Sequence, residues 1–338
     1  MSSPRHLATA ALAAFVFANV FTPARAVTID WVTVGDPGNA ADDTTYGAVA
    51  DSFRIMKFEF TNQQYTDFLN AVAATDTYSL YNANMGSNAR GGITQSGASG
   101  SYTYAVKANM GDKPVNYVSW FDVARVANWL QNGATGTSST ETGAYTLVGG
   151  QTSGTAPAVN PGATFYIPTE NQWYKAAYYK GGSTNAGYWD YATGSDTAPT
   201  AVTADSTGIG SAGSTGNFAN YNFGADWNSQ NGNVTTVGTN GGPSVYGAFD
   251  MSGNLYEWND LTGAAGSTRG LLGGVWSDFN ASNLSPSGRL TFATSTQVNS
   301  IGFRLASPVA VPEPSTYAMA LAGLACGCYV VVRRRKRA

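Results

Sequence analysis

Two carboxylates in a turn-rich segment are the residues of this sequence best placed to do chemistry. Asp250 and Glu257 are seven positions apart in SVYGAFDMSGNLYEW, residues 244–258, with Gly247 and Gly253 on either side of Asp250. Carboxylates spaced along turns can gather oxygen ligands around a hard cation such as Ca²⁺. The same residues can also form a tight turn between buried strands, with Glu257 accepting hydrogen bonds from backbone N–H groups. The spacing alone leaves both interpretations open.

Histidine and cysteine are confined to the two ends of the chain. His6 is the only histidine, and Cys326 and Cys328 are the only cysteines. Residues 27–308 therefore cannot form a Ser-His-Asp triad, a Cys-His pair, a zinc site of the usual ligands or a three-histidine iron site. A disulfide within this core is excluded as well.

Both ends of the chain have the composition of processing signals. Residues 1–26 carry Arg5, an apolar run and an Ala-Arg-Ala cleavage site, which is typical of a signal peptide. Residues 309–338 contain Val-Pro-Glu-Pro, an apolar run at 317–332 and the basic end RRRKR. This run barely spans a bilayer core, and the basic end should stay cytoplasmic, so the tail predicts a short transmembrane helix.

The order of these tail features resembles the PEP-CTERM sorting tail of Gram-negative bacteria. The resemblance implies recognition and removal by an exosortase-type processing enzyme. It also implies export through the inner membrane to the cell surface or the medium, in species that make extracellular polysaccharide. A permanent single-span anchor is the alternative, but it leaves the Pro-Glu-Pro unexplained.

The core is acidic once both ends are removed. Residues 27–311 keep 11 basic and 20 acidic residues, a net charge of about −9. Binding to nucleic acid needs a basic face, so this function is excluded. Divalent cations and neutral glycans remain compatible ligands.

Three capping patterns predict the helices that frame the core. Two are capping boxes, which pair Thr61 with Gln64 and Thr169 with Gln172, and the third is the N-cap Ser119 with Asp122 at its third position. Residues 53–60 (FRIMKFEF) alternate with period two and predict a strand that feeds the first of these helices. Few helices, many short strands and abundant glycine together predict one irregular α+β domain over residues 27–308.

Two polar segments carry groups that can bind a ligand. The first is an acidic loop that we interpret as solvated surface, with a bound cation as the alternative; its polar residues are Asp36, Asn39, Asp42 and Asp43. The second, residues 182–242, is too long for a structureless loop and should be held by something specific. Its aromatic residues can be buried beneath the loop or can form a platform that stacks on sugars; they include Tyr188, Trp189, Tyr191, Phe218, Tyr221, Phe223 and Trp227.

Six pieces of the chain, in order, resemble the formylglycine-generating enzyme, or sulfatase-modifying factor, family over residues 29–306. The pieces are FRIMKFEFTNQQYTDFLNAV, KPVNYVSWFDVARVANWL, YIPTENQWYKAAYY, YGAFDMSGNLYEW, RGLLGGVW and IGFRLA. The resemblance implies a C-type-lectin-like α+β fold with little regular secondary structure, usually stabilised by Ca²⁺.

The resemblance also implies two calcium sites. One falls on the side chains of Asp250 and Glu257 and the carbonyl groups of Gly253 and Leu255. The other falls on Asn220 and the carbonyl group of Tyr221. Spacing in the following loop departs from the family, so Asp226 is only a candidate third ligand of this second site.

The resemblance fails where family enzymes carry out oxidation. Those enzymes hold copper(I) with two cysteines placed just after the G-G-x-W element, because copper(I) requires soft thiolate ligands. The corresponding positions here are Asp278 and Asn283, and the histidines of the related iron-dependent sulfoxide synthases are missing too. The sequence therefore predicts neither a copper nor an iron cofactor.

The leading hypothesis is an exported, calcium-stabilised binding or surface module that lacks the oxidase site. Its partner is expected to be extracellular polysaccharide or another exported protein. A further possibility is purely structural service in a cell-surface matrix. The competing hypothesis is an enzyme with a divergent carboxylate site built from Asp278, Asn283, Glu170 or Arg304. Glu170 and Arg304 each have a structural alternative, in a helix first turn and in an ion pair respectively.

Overall fold

A computed structural model describes residues 27–309 of the chain. The predicted signal peptide, residues 1–26, and the predicted tail helix, residues 317–332, lie outside these described residues. Within residues 27–309, no helix has both the length and the apolar character needed to cross a membrane.

Three of the four α-helices within residues 27–309 begin at the predicted capping residues. The helices are α1 (Asn62–Val72), α2 (Asn84–Ser87), α3 (Trp120–Gln131) and α4 (Glu170–Tyr178). In α1, α3 and α4 the N-cap hydroxyl accepts a hydrogen bond from the third helical residue, whose side chain accepts one from the N-cap N–H. These reciprocal bonds satisfy backbone donors that a helix N-terminus otherwise leaves unpaired.

Eleven short strands in the described residues form two principal sheets and two small ones. A three-stranded sheet has the order β1 (Trp31–Val34), β2 (Phe53–Met56), β11 (Ala306–Pro308). A four-stranded sheet has the order β10 (Ile301–Gly302), β7 (Tyr256–Asn259), β8 (Thr268–Leu272), β9 (Leu290–Ala293). The small sheets pair β3 (Ile93–Ser96) with β4 (Thr103–Val106), and β5 (Thr200–Ala201) with β6 (Phe218–Ala219). The few helices and short strands confirm the irregular α+β class.

The second strand is shorter than the alternation of residues 53–60 predicts. It ends at Met56, after which Lys57 N–H donates to Asp30 O at 2.8 Å and Phe60 N–H donates to Phe303 O at 2.9 Å. The chain therefore leaves the β1–β2 ladder while its hydrogen bonds pass to other segments. Glu59 is carried into the interior at this point, where it is 0% exposed.

Helices α3 and α4 organise the two parts of the core. Residues 120–130 of α3 are all buried, so this helix runs through the larger core. Helix α4 belongs to the second, smaller cluster together with residues of β2 and β8, and its aromatic side chains Trp173, Tyr174 and Tyr178 are each 0% exposed. The hydroxyl and indole groups of these three side chains reach the elements that form the candidate sites.

Candidate functional site

Glu257 and Arg304 form an ion pair that is closed to solvent. Glu257 lies in β7, which is paired with β10, and Arg304 comes two residues after the end of β10. Arg304 Nη2 donates to Glu257 Oε1 at 2.6 Å and Arg304 Nε donates to Oε2 at 2.7 Å, with both side chains 0% exposed. Trp173 Nε1 also donates to Glu257 Oε2, at 2.7 Å. Both carboxylate oxygens of Glu257 therefore have fixed donors, one of which neutralises its charge.

Asp250 ties the long polar segment to the turn that precedes β7. Its carboxylate accepts hydrogen bonds from the backbone N–H of Gly238 and, at 2.8 Å, from Asn240 Nδ2. Burial raises the pKa of Asp250 above its ordinary value, and these two hydrogen bonds act against that rise. Asp250 thus helps to hold the segment that composition alone leaves without regular structure.

Glu59 is a third buried acid close to Asp250 and Glu257, and the sequence analysis did not identify it. Asn254 Nδ2 donates to Glu59 Oε2 at 2.7 Å, whereas Glu59 Oε1 has no hydrogen-bond partner among the described residues. Burial raises the pKa of Glu59 well above its usual range, and the charges of Asp250 and Glu257 raise it further. The surroundings of Glu59 therefore favour its neutral form over its charged form. Its signal was present in the alternation, because period two places Glu59 on the same face as the buried Phe53.

Asn220 presents a buried acceptor without a donor. Its Nδ2 donates to Asn233 O at 2.8 Å and to Asn254 Oδ1 at 3.1 Å. The side chain is 0% exposed, and its Oδ1 has no partner among residues 27–309. An unsatisfied buried carbonyl oxygen is unusual in proteins, and a hard cation is one group that satisfies it.

The other residues of the two expected calcium sets divide between this region and the surface. Gly253 forms a parallel bridge with Asn220, so the two sets meet here, and Leu255 is buried two residues further on. Tyr221 follows Asn220 directly and is half-buried. Asp226 is exposed, and its carboxylate accepts from the Gly232 N–H at 2.7 Å, so it closes a turn in the loop.

The two expected calcium sets differ in whether they have oxygen atoms free to bind Ca²⁺. In the set of Asp250 and Glu257, every carboxylate oxygen already accepts a hydrogen bond from a fixed group. In the set of Asn220, one buried oxygen has no donor. Across residues 27–309, no group of three or more His, Cys, Asp or Glu side chains is arranged to hold a metal ion. The fit to a cation therefore rests on Asn220 and neighbouring carbonyl oxygens.

The structure brings Asp278 and Asn283 together. Asn283 Nδ2 donates to Asp278 Oδ1 at 3.0 Å, and the backbone N–H of Val275 donates to Asp278 Oδ2 at 2.9 Å. Asn283 lies in a 3₁₀ helix, Ala281–Leu284, which follows the Gly-Gly-Val-Trp turn. The two positions that correspond to the family cysteines are thus neighbours, and they hold a turn closed with hard oxygen and amide groups.

An aromatic group lies beside Asp278. Phe223 packs edge-on against Trp276 with ring centroids 5.6 Å apart, and it also packs against Phe279, which is 79% exposed. The guanidinium of Arg90 lies 4.2 Å from the centroid of the Trp276 ring and donates to the carbonyl of Gly232. Arg90 therefore joins the polar segment to this aromatic group.

The remaining residues of the competing enzyme hypothesis have structural partners. Glu170 begins α4, where its charge suits the helix N-terminus, and its Oε1 lies 3.0 Å from Arg289 Nε. Arg304 is the partner of Glu257 described above, as the structural interpretation expects. Neither side chain shares a hydrogen bond or an ion pair with Asp278 among the described residues.

The comparisons with known proteins agree with the features of the sequence. The model of the sulfatase-modifying factor enzyme 1-like domain matches residues 30–309, and the model of the PEP-CTERM protein-sorting motif matches residues 310–336. The suspected family and the suspected sorting tail are thereby confirmed. No curated protein matches the chain.

Three solved structures are similar to the chain over most of its length. The crystal structure of CarF is 21% identical, with 84% of this chain and 99% of that chain covered and a TM-score of 0.49. Treponema denticola variable protein 1 is 18% identical, with 82% and 95% covered and a TM-score of 0.45. PvdO from Pseudomonas aeruginosa is 19% identical, with 83% and 92% covered and a TM-score of 0.41.

Proposed function

The chain belongs to the family of sulfatase-modifying factor enzyme 1-like domains and has its irregular α+β fold, and we propose that it is a binding module without oxidase activity. Its PEP-CTERM motif indicates export and surface sorting in a Gram-negative bacterium, with processing by an exosortase-type system. Fold alone does not assign an activity, so the proposal depends on the residues at the family's reactive position.

The pair of Asp278 and Asn283 carries this proposal. A carboxylate and a carboxamide joined at 3.0 Å offer oxygen and amide groups, whereas copper(I) selects thiolate ligands. Both oxygens of Asp278 are also engaged, by Asn283 and by the Val275 N–H. The hydrogen bonds of Asp278 and Asn283 therefore stabilise the turn, and the pair does not form a redox centre.

The expected partner is extracellular polysaccharide or another exported protein. A core charge of about −9 disfavours anionic ligands and suits neutral ones. Service as a passive component of a surface matrix is the variant of this proposal in which no soluble ligand is bound.

A direct assay tests the absence of oxidase activity. The purified protein is incubated with a sulfatase-motif peptide and copper, and formylglycine is measured by mass spectrometry. We expect no conversion, because no thiolate is available at positions 278 and 283. Conversion of the peptide by the natural sequence would overturn the proposal.

The double variant Asp278→Cys with Asn283→Cys serves as the matched control. It returns two thiols to neighbouring positions, so it should bind copper(I) with the absorbance of a copper thiolate complex, while the natural protein does not. Copper(I) binding of equal strength by both proteins would show that another site in the chain binds the metal.

We also propose a structural Ca²⁺ ion at the junction of Asn220 and Gly253. The support is the unpartnered Oδ1 of Asn220, with the carbonyl of Tyr221 and the side chain of Asp226 as further expected donors. The set of Asp250, Gly253, Leu255 and Glu257 stays a prediction, and binding there would require Glu257 to exchange Arg304 for the cation. At 100 times its Kd, one ion stabilises the fold by about 2.7 kcal/mol.

Calorimetry with and without a chelator tests the calcium proposal. A stabilisation of about 2.7 kcal/mol corresponds to a rise in Tm of roughly 5–10 °C for a domain of this size. The variant Asn220→Ala should lose this calcium-dependent rise, and Asn228→Ala, at an exposed position in the same segment, should keep it. A Tm that does not depend on Ca²⁺ would refute the proposal.

A further inference from the structure

A surface cleft brings together three segments that are distant in sequence. Its volume is about 470 Å³, within the range of roughly 300–1,000 Å³ that is usual for ligand pockets. We call it the Asp42–Tyr191 cleft. It is lined by residues 42–44 of the acidic loop, by residues 188–191, and by Ser282, Ser285, Pro286 and Ser287.

Two tyrosine hydroxyls of α4 fix two of these walls. The Tyr174 hydroxyl donates to Asp42 Oδ2, and it lies 2.7 Å from the Thr44 hydroxyl. The Tyr178 hydroxyl donates to Leu284 O at 3.0 Å, which anchors the 3₁₀ helix that carries Ser282. Because both tyrosines are 0% exposed, the walls are held from the core side.

The aromatic wall is fixed in the same way. The backbone N–H of Trp189 donates to the backbone carbonyl of Tyr178 at 2.8 Å, and the Tyr188 hydroxyl donates to Ala40 O at 2.8 Å. Asn39 Nδ2 in turn donates to the Tyr188 hydroxyl at 2.7 Å. The acidic loop and the aromatic segment are therefore bonded to each other. A cleft whose walls are positioned before binding loses less conformational entropy when a ligand arrives.

The lining has the chemistry of a site for hydroxyl-rich ligands. Asp43 and Asp190 supply carboxylate acceptors, the serines supply hydroxyl groups, and Trp189 and Tyr191 supply aromatic surface. Sugar hydroxyls donate to carboxylates, and the C–H faces of sugars pack on aromatic rings. Trp189 also carries a buried indole N–H without an acceptor among the described residues.

The charge of the cleft selects among such ligands. Its lining in the described part of the chain contains three aspartates and no lysine or arginine, and Lys180, whose Nζ lies 4.2 Å from the centroid of the Trp189 ring, is paired with Asp196 at 3.7 Å. Asp43 and Asp190 are exposed and belong to no ion pair within residues 27–309. A ligand with uronate, sulfate or phosphate groups would meet three negative charges, whereas neutral or amino-bearing sugars would not.

A divalent cation explains this lining less well than a glycan does. Asp42 is already engaged, because its Oδ1 accepts from the Asp43 N–H and its Oδ2 accepts from Tyr174. Within residues 27–309, no three or more His, Cys, Asp or Glu side chains are grouped so that they could hold a metal ion. The aromatic wall would have no role in a cation site.

We propose that the Asp42–Tyr191 cleft binds a glycan of neutral or amino-bearing sugars. This inference rests on the proposed function, since it gives the binding module its ligand class and its site. It also gives the pair of Asp278 and Asn283 a purpose. Their hydrogen bond positions the 3₁₀ helix that presents Ser282 to the cleft.

Glycan binding by the purified protein tests the proposal. Binding is measured by calorimetry against soluble oligosaccharides of three kinds, namely neutral hexoses, amino sugars and uronates, and against a lysine-rich peptide. The variants are Asp43→Asn and Asp190→Asn, alone and together. Asp51→Asn, at an exposed position outside the cleft, removes the same charge as a control.

We expect neutral or amino-bearing oligosaccharides to bind and uronates to bind at least about tenfold more weakly. Each cleft variant should weaken binding by about tenfold or more, because each removes a hydrogen bond to a charged acceptor. Asp51→Asn should bind as the natural protein does. All four variants change exposed side chains, and equal melting temperatures will show that the fold is intact.

Other outcomes overturn the inference. Binding that is unchanged in the cleft variants would place the glycan elsewhere, and preference for uronates or for the basic peptide would refute the ligand class. Absence of binding to every oligosaccharide would refute the inference while leaving the proposed non-oxidase function intact. Formylglycine production would overturn the proposed function whatever the glycan result.

Discussion

Replacing Arg304 with methionine should be among the most destabilising single changes in the chain. The guanidinium donates twice to Glu257, at 2.6 and 2.7 Å, and once to Phe249 O at 2.8 Å, and all of this lies out of contact with solvent. Methionine fills similar volume but leaves Glu257 as a buried charge without its partner. Breaking such a pair costs about 3–5 kcal/mol, and the unsatisfied carbonyl of Phe249 adds about 1 kcal/mol or more.

The expected loss is therefore about 4–6 kcal/mol, which is a large part of the 5–15 kcal/mol that typically stabilises a protein. Urea denaturation gives this quantity from the midpoint and slope of the transition. Arg54→Met is the matched control, because Arg54 is half-buried and donates through Nη2 to Ser307 Oγ. This control should lose about 1 kcal/mol or less.

A double variant separates lost pairing from lost packing. Adding Glu257→Gln to Arg304→Met removes the orphaned charge and keeps an acceptor for Trp173 Nε1, so the double variant should be more stable than Arg304→Met alone. The reasoning fails if Arg304→Met costs less than about 1 kcal/mol, or if Glu257→Gln makes the variant less stable. Added Ca²⁺ provides a further reading: stabilisation of Arg304→Met alone would show that Glu257 can bind a cation once arginine is absent.

Three further predictions concern pH, backbone geometry and the turn of the reactive position. Burial raises the pKa of Asp122 from 3.8 to about 6. Its contribution to the free energy of unfolding is therefore present below about pH 4 and is lost as the pH rises to about 6. Urea denaturation at a series of pH values should show this decrease in the natural protein and a smaller decrease in Asp122→Asn. Gly253→Ala should cost about 2–5 kcal/mol in the same assay, because φ is +86° and a Cβ atom would lie 2.3 Å from Asn220 O; an unchanged midpoint would contradict the described bridge. Asp278→Ala should cost about 1–3 kcal/mol by orphaning the Val275 N–H, while Asp51→Ala should cost about 0.5 kcal/mol or less.

Local signals in the sequence determined much of the framework. The three capping patterns predicted where α1, α3 and α4 begin, because a cap is formed by residues three positions apart. The ordered motifs predicted the family, and the Pro-Glu-Pro tail predicted the sorting motif, both of which the comparisons confirm. The predicted bounds of the second strand were wrong, because the strand ends at Met56, where its ladders with Trp31–Val34 and Ala306–Pro308 end, and these partners are distant in the sequence.

The sequence predicted which residues form the candidate site, but it did not predict their hydrogen bonds and ion pairs. The resemblance placed Asp278 and Asn283 at the positions of the two family cysteines, and the structure shows their side chains joined by a hydrogen bond. It identified Asp250 and Glu257 as acids worth attention, but it could not show that Arg304 already neutralises Glu257, since the two residues lie 47 positions apart. Glu59 escaped notice because a lone acid in an apolar run gives no indication of the charges around it.

The cleft shows most clearly what only the tertiary structure decides. In the sequence, the acidic loop at Asp42 and the aromatic residues at 188–191 were two separate segments, each with an ordinary surface or core interpretation. Their meeting depends on the Tyr188 hydroxyl, which bonds to Ala40 O and Asn39 Nδ2, while the hydroxyls of Tyr174 and Tyr178 hold the acidic loop and the 3₁₀ helix to α4. Residue type and local spacing determine helix caps and turns, because these depend on near neighbours in the sequence. Residue type alone determines that residues 27–308 have no cysteine or histidine to bind a metal. Which charges are neutralised and which segments share a cavity depend on contacts between distant residues, 47 positions apart for Glu257 and Arg304 and 132 for Asp42 and Tyr174, and these exist only in the folded chain.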